Sequence, residues 1–565
     1  MTTAVHRWAG TAAAPGTAVA ASWRIDRPVP AAVGPPDPGR VEEAFRAVAA
    51  DLARVADRAR AQGRRAAADI VATGALIAAD PELADAARRA AAAGGLIRGI
   101  HDAVEGYARM LEALPDETLR ERAADVRQVG RRVAERIACG GAAVPPVGRF
   151  VMVAGVLGPA DLLEHLGQGL VAAVAVGGGA SSHAAVVARS VGLPLVTGVD
   201  AGVLDLVDGT SLLVDADAGV VVADPSGAEV ARAGESLARA GQRRAMFAAD
   251  RGRPHVTADG QPFELLCNVA SDIEVRIGRD SGAEGIGVLR TELPFIHSRQ
   301  WPGEAEHRRA LRPILAEAAG WPVTVRLLDF GNDKVPPFLD RGAAGLPALL
   351  ANPQALGAQL RAVLSLGQGV DLRIMVPMVT AAGELRAVRA AVGGLGGGGS
   401  GAGGFGGGGS GEPGAVPVGA MVETVAAVET LSELCTVADF LSIGTNDLTA
   451  EVLGLDRTDA GARPELAAHP RVLDLVTRTV TGAHLAGRPV SVCGDAAAHP
   501  TTLPLLLGAG VRHFSVACTS IGETRYRLRR LDTAACAQLL AEALAMGDAD
   551  QAGDLVRRRV EVLAP

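Results

Sequence analysis

VPVGAMVETVAAVETLSELCTVADFLSIGTNDLT, residues 416–449, repeats in miniature the pattern of the second half of the chain. An apolar run over 416–422 stops at Glu423, a stretch of helical period follows, and a second run over 438–443 leads into Asn446 and Asp447. Short continuous apolar runs, rather than alternating ones, suit strands buried on both faces of a parallel sheet. Outward from this segment the rhythm recurs at 263–269, 285–289, 323–329, 372–378, 489–493 and 513–517, mostly with helical stretches between. Eight strand–helix alternations predict a (β/α)₈ barrel of the TIM type over 255–565, with C-terminal helices. An open doubly wound sheet is the alternative.

The first half reads differently. Residues 35–138 hold long Ala/Arg/Leu/Glu stretches of helical period with almost no glycine, such as LRERAADVRQVGRRVAERIA. That composition predicts antiparallel helices. Strand-like runs FVMVAG, VAAVAV, PLVTGV and SLLVDA return within 140–226. Together with 1–30 they suggest one α/β domain interrupted by the helical insert. The charged stretch 227–252 reads as a linker helix. GGLGGGGSGAGGFGGGGSGEPG, 393–414, contains GGGGS twice and reads as a flexible insertion without chemistry, placed before the fifth strand.

Bulk composition narrows the function. The chain has 565 residues, 48% apolar and 21% charged, enough for several cores; aromatics are only 3%, so small aliphatic side chains must fill them. A net charge of −8 gives non-specific nucleic-acid binding no electrostatic support. The first residues show no signal-peptide pattern, and there is no uninterrupted apolar run long enough to span a bilayer. Cysteines 139, 267, 435, 493, 518 and 536 are scattered, as reduced thiols of a cytoplasmic protein would be.

Chemistry concentrates in a few stretches. In GGGASSHAAVVARSVGLPLVTG, 177–198, His183 follows a Gly/Ser loop and opens a helix. Free N–H groups and the helix dipole favour an anion there and disfavour imidazolium, leaving a neutral nitrogen as nucleophile. In the barrel, Arg290 follows the second strand, and Arg326 and Asp329 end the third, with Lys334 beyond. Arginine forks bind phosphate and carboxylate bidentately. Glu423 and Asp447 end adjacent strands and could share one Mg²⁺, with substrate oxygens and water completing the shell.

These stretches together resemble enzyme I of the bacterial sugar phosphotransferase system, the phosphoenolpyruvate–protein phosphotransferase, within the phosphoenolpyruvate-utilising enzymes. The resemblance runs from AAPG near the N-terminus to about Leu531. It implies an α/β multidomain fold, with a swivelling phosphohistidine domain ahead of the barrel. His183 is then the phosphohistidine. Arg290, Arg326, Asn446 and Arg457 hold phosphoenolpyruvate, and Glu423 and Asp447 hold Mg²⁺. Cys493 in SVCGD becomes the acid that protonates the enolate of pyruvate. The helical insert would dock the phosphocarrier protein HPr, the barrel would form a homodimer, and a hinge near 228–250 would let His183 visit donor and acceptor in turn.

The chain departs from the family at several positions. An arginine-bearing G-x-R-x-x-R element is replaced by GAAGLPALLANP, with Ala344 and Pro347 where arginines are expected and Arg341 and Arg361 nearby. Asp495 stands for glutamate, and Ala450-Glu451 for Gln-Tyr. Loss of such a charge would weaken substrate binding by about ten- to a hundred-fold. Two other readings follow: an impaired paralogue that binds a carrier as a regulator, and a relative of phosphoenolpyruvate synthase or pyruvate phosphate dikinase.

Overall fold

A computed structural model describes residues 6–27, 38–62, 64–113, 117–139, 145–179, 182–296, 298–331, 335–339, 345–395, 415–455 and 463–559. The chain divides into two compact units, Met1–Gln242 and Arg243–Pro565.

The first unit is built on an eight-stranded sheet. Its strands are β1 (Arg7–Ala9), β2 (Thr11–Ala14), β3 (Thr17–Arg24), β4 (Phe150–Ala154), β5 (Leu170–Ala175), β6 (Leu195–Thr197), β7 (Ser211–Asp215) and β8 (Val220–Ala223). The spatial order is β1-β8-β7-β3-β4-β5-β6-β2. Strands β3 to β6 run parallel, and the flanking pairs are antiparallel. Every residue of β4 is buried, as an apolar run covered on both faces should be. The three N-terminal strands arise from a Gly/Ala-rich segment in which sequence pattern showed only a short apolar alternation. Pairing with distant partners, not propensity, makes them strands.

Between β3 and β4 lie five helices, Pro38–Ala61, Arg65–Ala78, Pro81–Gly94, Leu96–Glu112 and Glu117–Cys139. Val41, Phe45, Val48, Leu52 and Val55 form the buried stripe of the first, at three- and four-residue spacing. They join a core shared with the sheet through Phe150 and Met152, and with Leu162 on the helix Pro159–His165. A helix over Gly227–Ala249 follows the last strand.

The second unit is a closed barrel of eight parallel strands: β9 (Glu264–Val269), β10 (Ile286–Leu289), β11 (Pro322–Arg326), β12 (Asp371–Val376), β13 (Val418–Val422), β14 (Leu441–Gly444), β15 (Val490–Cys493) and β16 (His513–Ala517). The ring closes where β16 pairs with β9, His513 opposite Glu264. The open-sheet alternative is thereby ruled out. Two strands end sooner than the apolar runs suggested. β11 stops at Arg326, leaving Asp329 on a loop, and β12 stops at Val376 because Met378 turns to φ +51°. The helix Ala382–Gly394 takes in the first two glycines of the Gly-rich stretch. The rest of that stretch, 396–414, lies outside the described residues, as do Lys334, Arg341, Ala344 and Arg457.

Candidate functional site

His183 is the first residue of the helix His183–Val191, and Ser182 caps it. The cap's Oγ accepts the Ala185 N–H at 3.3 Å, the side-chain acceptor that helix starts require. The imidazole Nδ1 lies 3.3 Å from both carboxylate oxygens of Asp125, on the helix Glu117–Cys139. A carboxylate only accepts, so in the neutral tautomer that this contact selects Nδ1 carries the proton and Nε2 the lone pair. Arg122 sits one helical turn before Asp125 and pairs with it at 2.9 Å. Beside the imidazole is a cavity of about 660 Å³, lined by Asp125, Arg127, Gln128, the glycines 177–179 and Ser182. The His183 side chain remains 23% exposed, so it can be reached from outside the protein.

The barrel mouth is drier. One pocket is lined by Arg290, Arg326, Glu423, Asn446, Asp447 and Cys493, with Asn268 and Gly494 also on its wall. Six of the eight expected site residues therefore converge at the C-terminal ends of β10, β11, β13, β14 and β15, where barrels of this type carry their chemistry. Arg326 is held by Glu292 at 2.7 Å and Asp329 at 3.0 Å. Burial opposes its charge, but Asp329, Glu292 and Glu423 outweigh it and raise the guanidinium pKa. Thr291 Oγ1 donates to the Arg326 carbonyl at 2.8 Å, and Gln359 Nε2 donates to Thr291 Oγ1 at 2.9 Å. The arginine is thus fixed from behind before any ligand arrives.

Glu423 is buried, and its Oε1 accepts the Met378 N–H at 2.6 Å. That contact explains why a non-glycine residue tolerates a left-handed conformation: Met378 turns its N–H onto the carboxylate. Burial first, then the charges of Asp329 and Asp447, push the Glu423 carboxyl well above the usual range. Gly444 is required beside it, because a Cβ there would lie 2.6 Å from Glu423 Oε2. Gly494, at φ +102°, has a similar role, since a Cβ would meet Thr445 Oγ1 and Asn446 Oδ1. Asn446 is itself set by Asp495, donating to Oδ2 from Nδ2 and accepting the backbone N–H, each at 3.1 Å. Cys493 is buried, and burial pushes its thiol up to about 11. It is therefore a proton donor, not a thiolate, at neutral pH.

Among the described residues no three His, Cys, Asp or Glu side chains converge to hold a metal ion unaided. A Mg²⁺ ion does not demand that, being commonly bound by one or two carboxylates plus substrate phosphate and water. Glu423 and Asp447 line the same pocket and offer hard carboxylate oxygens there. The donor set fits a hard divalent cation.

The comparisons agree with this geometry. Three family profiles match in chain order: PEP-utilising enzyme, N-terminal, over 9–122; mobile domain, over 148–219; and PEP-binding domain, over 244–533. A phosphoenolpyruvate-protein phosphotransferase of Streptomyces coelicolor is 32% identical over 542 residues, covering 93% of this chain and 92% of its own. The chain belongs to the PEP-utilising enzyme family. A second relative of the same description, from Geobacillus stearothermophilus, is 29% identical over 463 residues, 80% of this chain and 79% of its own. A multiphosphoryl transfer protein of Xanthomonas campestris pv. campestris is 33% identical over 479 residues, 81% of this chain but 55% of its own. The chain spans about half the length of such relatives.

Within this PEP-utilising enzyme, sequence reasoning passed over Asp125 and Glu292, which are partners of His183 and Arg326, and Gln359, which reaches Arg326 only through Thr291. Asp125 stood inside ERAADVRQVGRRV and Glu292 inside GAEGIGVLRTELPF, but neither motif states what its carboxylate touches. Pro347 is exposed at the start of the short helix Leu346–Leu350. Arg361 is turned to the outside, its Nε 2.9 Å from Glu304, so it does not replace the missing arginine. Among the described residues, the arginines lining the mouth are Arg290 and Arg326. No described helix is long and apolar enough to cross a membrane.

Proposed function

We propose that the protein is a phosphoenolpyruvate–protein phosphotransferase that phosphorylates itself on His183 and passes the group to a histidine of the carrier HPr. The convergence of Arg290, Arg326, Glu423, Asn446, Asp447 and Cys493 at one barrel mouth carries this reading. The two arginines suit the phosphate and carboxylate of phosphoenolpyruvate, and Asn446 orients it, with Arg457 as a further expected contact. Glu423 and Asp447 would hold Mg²⁺, which when bound neutralises charge on the phosphoryl oxygens. The P–O bond to the enolate breaks as a P–N bond to Nε2 of His183 forms, through a loose transition state. The enolate carbon then takes the proton of the Cys493 thiol, giving pyruvate. Asp125, accepting from Nδ1, stabilises the positive ring of the phosphohistidine.

The same reading gives the helical insert the carrier-docking role, the barrel a homodimer contact, and the protein a place in the cytoplasm as the first step of sugar phosphotransfer. It requires His183 to meet the barrel mouth and the carrier in turn. The test is incubation with ³²P-labelled phosphoenolpyruvate and Mg²⁺. An acid-labile label is expected on the wild type and none on His183→Ala; a label that survives the substitution overturns the proposal. Pyruvate release with a small carrier present separates an active enzyme from an impaired paralogue that only binds, the reading that Pro347 motivates.

A further inference from the structure

Cys493 is approached from the barrel interior by two hydroxyls that the reaction as described does not use. Ser442 on β14 and Ser491 on β15 are register partners on adjacent parallel strands. Ser491 Oγ donates to Ser442 Oγ at 3.0 Å, and Ser442 Oγ donates to Cys493 Sγ at 3.5 Å. When Ser491 donates to Ser442 and not to the Leu441 carbonyl, the two donations run in sequence toward the sulfur. Ser442 is 2% and Cys493 3% exposed, so neither exchanges freely with bulk water. Ser491 differs in being partly exposed.

Position on the strand gives the line a direction. Ser491 and Cys493 are two residues apart on β15 and so share a face. That face packs inside the barrel, where Cys493 meets Val288, Met375 and Met421. Ser491 lies toward the start of the strand, the end opposite the substrate side. Its register partner on β16 is His513, paired at 2.8 Å with Glu264 and partly exposed, so this layer of the interior is polar and reached by water.

We propose that Ser491 and Ser442 form a proton relay that restores the Cys493 thiol after each turnover, drawing on water at the N-terminal side of the barrel. The inference rests on Cys493 being the acid, as read above. With product over the mouth, the thiolate left after protonation of the enolate is buried and cannot be refilled from the substrate side. The S–H bond breaks as the C–H bond of pyruvate forms. Sγ then takes the Ser442 hydroxyl proton, Ser442 takes that of Ser491, and Ser491 takes one from water. One solvent proton enters per pyruvate made. Between turnovers the Leu441 carbonyl, 3.5 Å from Ser491 Oγ, and the Ile443 carbonyl, 3.5 Å from Cys493 Sγ, accept the idle protons.

The relay is tested by the exchange of pyruvate methyl protons with D₂O, followed by NMR with the full-length protein and Mg²⁺, beside labelling of His183 from phosphoenolpyruvate. Without the relay, a proton taken from pyruvate by Sγ returns to the same carbon instead of washing out. In Ser442→Ala and Ser491→Ala the ratio of methyl exchange to labelling should fall on the order of ten-fold, and Ser491→Thr, which keeps the hydroxyl, should restore it. A ratio unchanged in both alanine variants overturns the relay and leaves the phosphotransferase reading standing. Exchange as fast in Cys493→Ala as in the wild type removes the acid itself and the relay with it. A wild type that neither labels nor exchanges overturns the activity first, and the relay as its consequence.

Discussion

The helix start at His183 is open and lightly held, whereas the barrel mouth around Arg326 and Cys493 is dry and dense with charge. His183 keeps 23% of its side chain exposed and is steadied, among the described residues, by the Asp125 carboxylate at 3.3 Å. Arg326 is 7% exposed between two carboxylates, one of them, Glu292, fully buried. The difference fits the roles proposed for the two sites. A residue that receives a phosphoryl group and gives it away must be reachable by more than one partner. A site that stabilises developing charge works best where water is excluded and dipoles are set in advance.

The contrast makes graded predictions. His183→Ala should remove all acid-labile label while leaving the barrel's unfolding transition in urea unchanged. A barrel that unfolds earlier in this variant would break the separation between the two regions. Arg326→Met should abolish phosphoenolpyruvate-dependent labelling and also destabilise the barrel by about 3–5 kcal/mol, because the buried Arg326–Glu292 pair is broken and the adjoining Asp329 loses the same cation. Denaturant unfolding measures that loss; a stable but inactive variant would mean the network serves substrate alone.

Acid sensitivity should also differ between the two regions. His307, on the helix Glu304–Glu317, is fully buried against Phe295 with ring centroids 4.9 Å apart, and burial lowers its pKa to about 4. Neither ring nitrogen has a hydrogen-bond partner among the described residues. The folded value lies below the unfolded one of about 6.5, so the unfolded state binds the proton more tightly. Its stabilising contribution is complete above pH 6.5 and is lost as pH falls toward 4, by roughly 3 kcal/mol. Unfolding curves across that window should show the loss in the wild type and its absence in His307→Leu. The smallest effect belongs to the open site. Asp125→Asn keeps an acceptor near Nδ1 but removes the charge, so labelling should slow by about ten-fold or less with the fold intact, as rapid-quench kinetics would show. An effect as large as that of Arg326→Met would mean that His183 is not lightly held after all.

The barrel was legible because its strands are short, largely apolar runs, and Arg290, Arg326, Glu423, Asn446, Asp447 and Cys493 stand at or just past the ends of five of them. Glu423 and Asp447 follow β13 and β14 within a residue or a few, as a parallel barrel strand ends on its chemistry. The N-terminal strands were not legible. β1 and β2 lack apolar patterning, and they form by pairing with β8 and β6, about two hundred residues away in sequence. Asp125 was invisible for a related reason: it is 58 residues from the histidine it holds, on a helix whose sequence reads only as amphipathic.

The sequence by itself determined the two kinds of unit, the histidine at a helix start, and the charged residues at the ends of barrel strands. These are local matters of periodicity, capping and residue chemistry. Only the tertiary structure decided the partners: Asp125 on His183, Glu292 and Asp329 on Arg326, Ser442 and Ser491 beneath Cys493. Hydrogen bonds and ion pairs depend on distances of about 3 Å between residues far apart in the chain, and burial sets their strength. The fold supplies both.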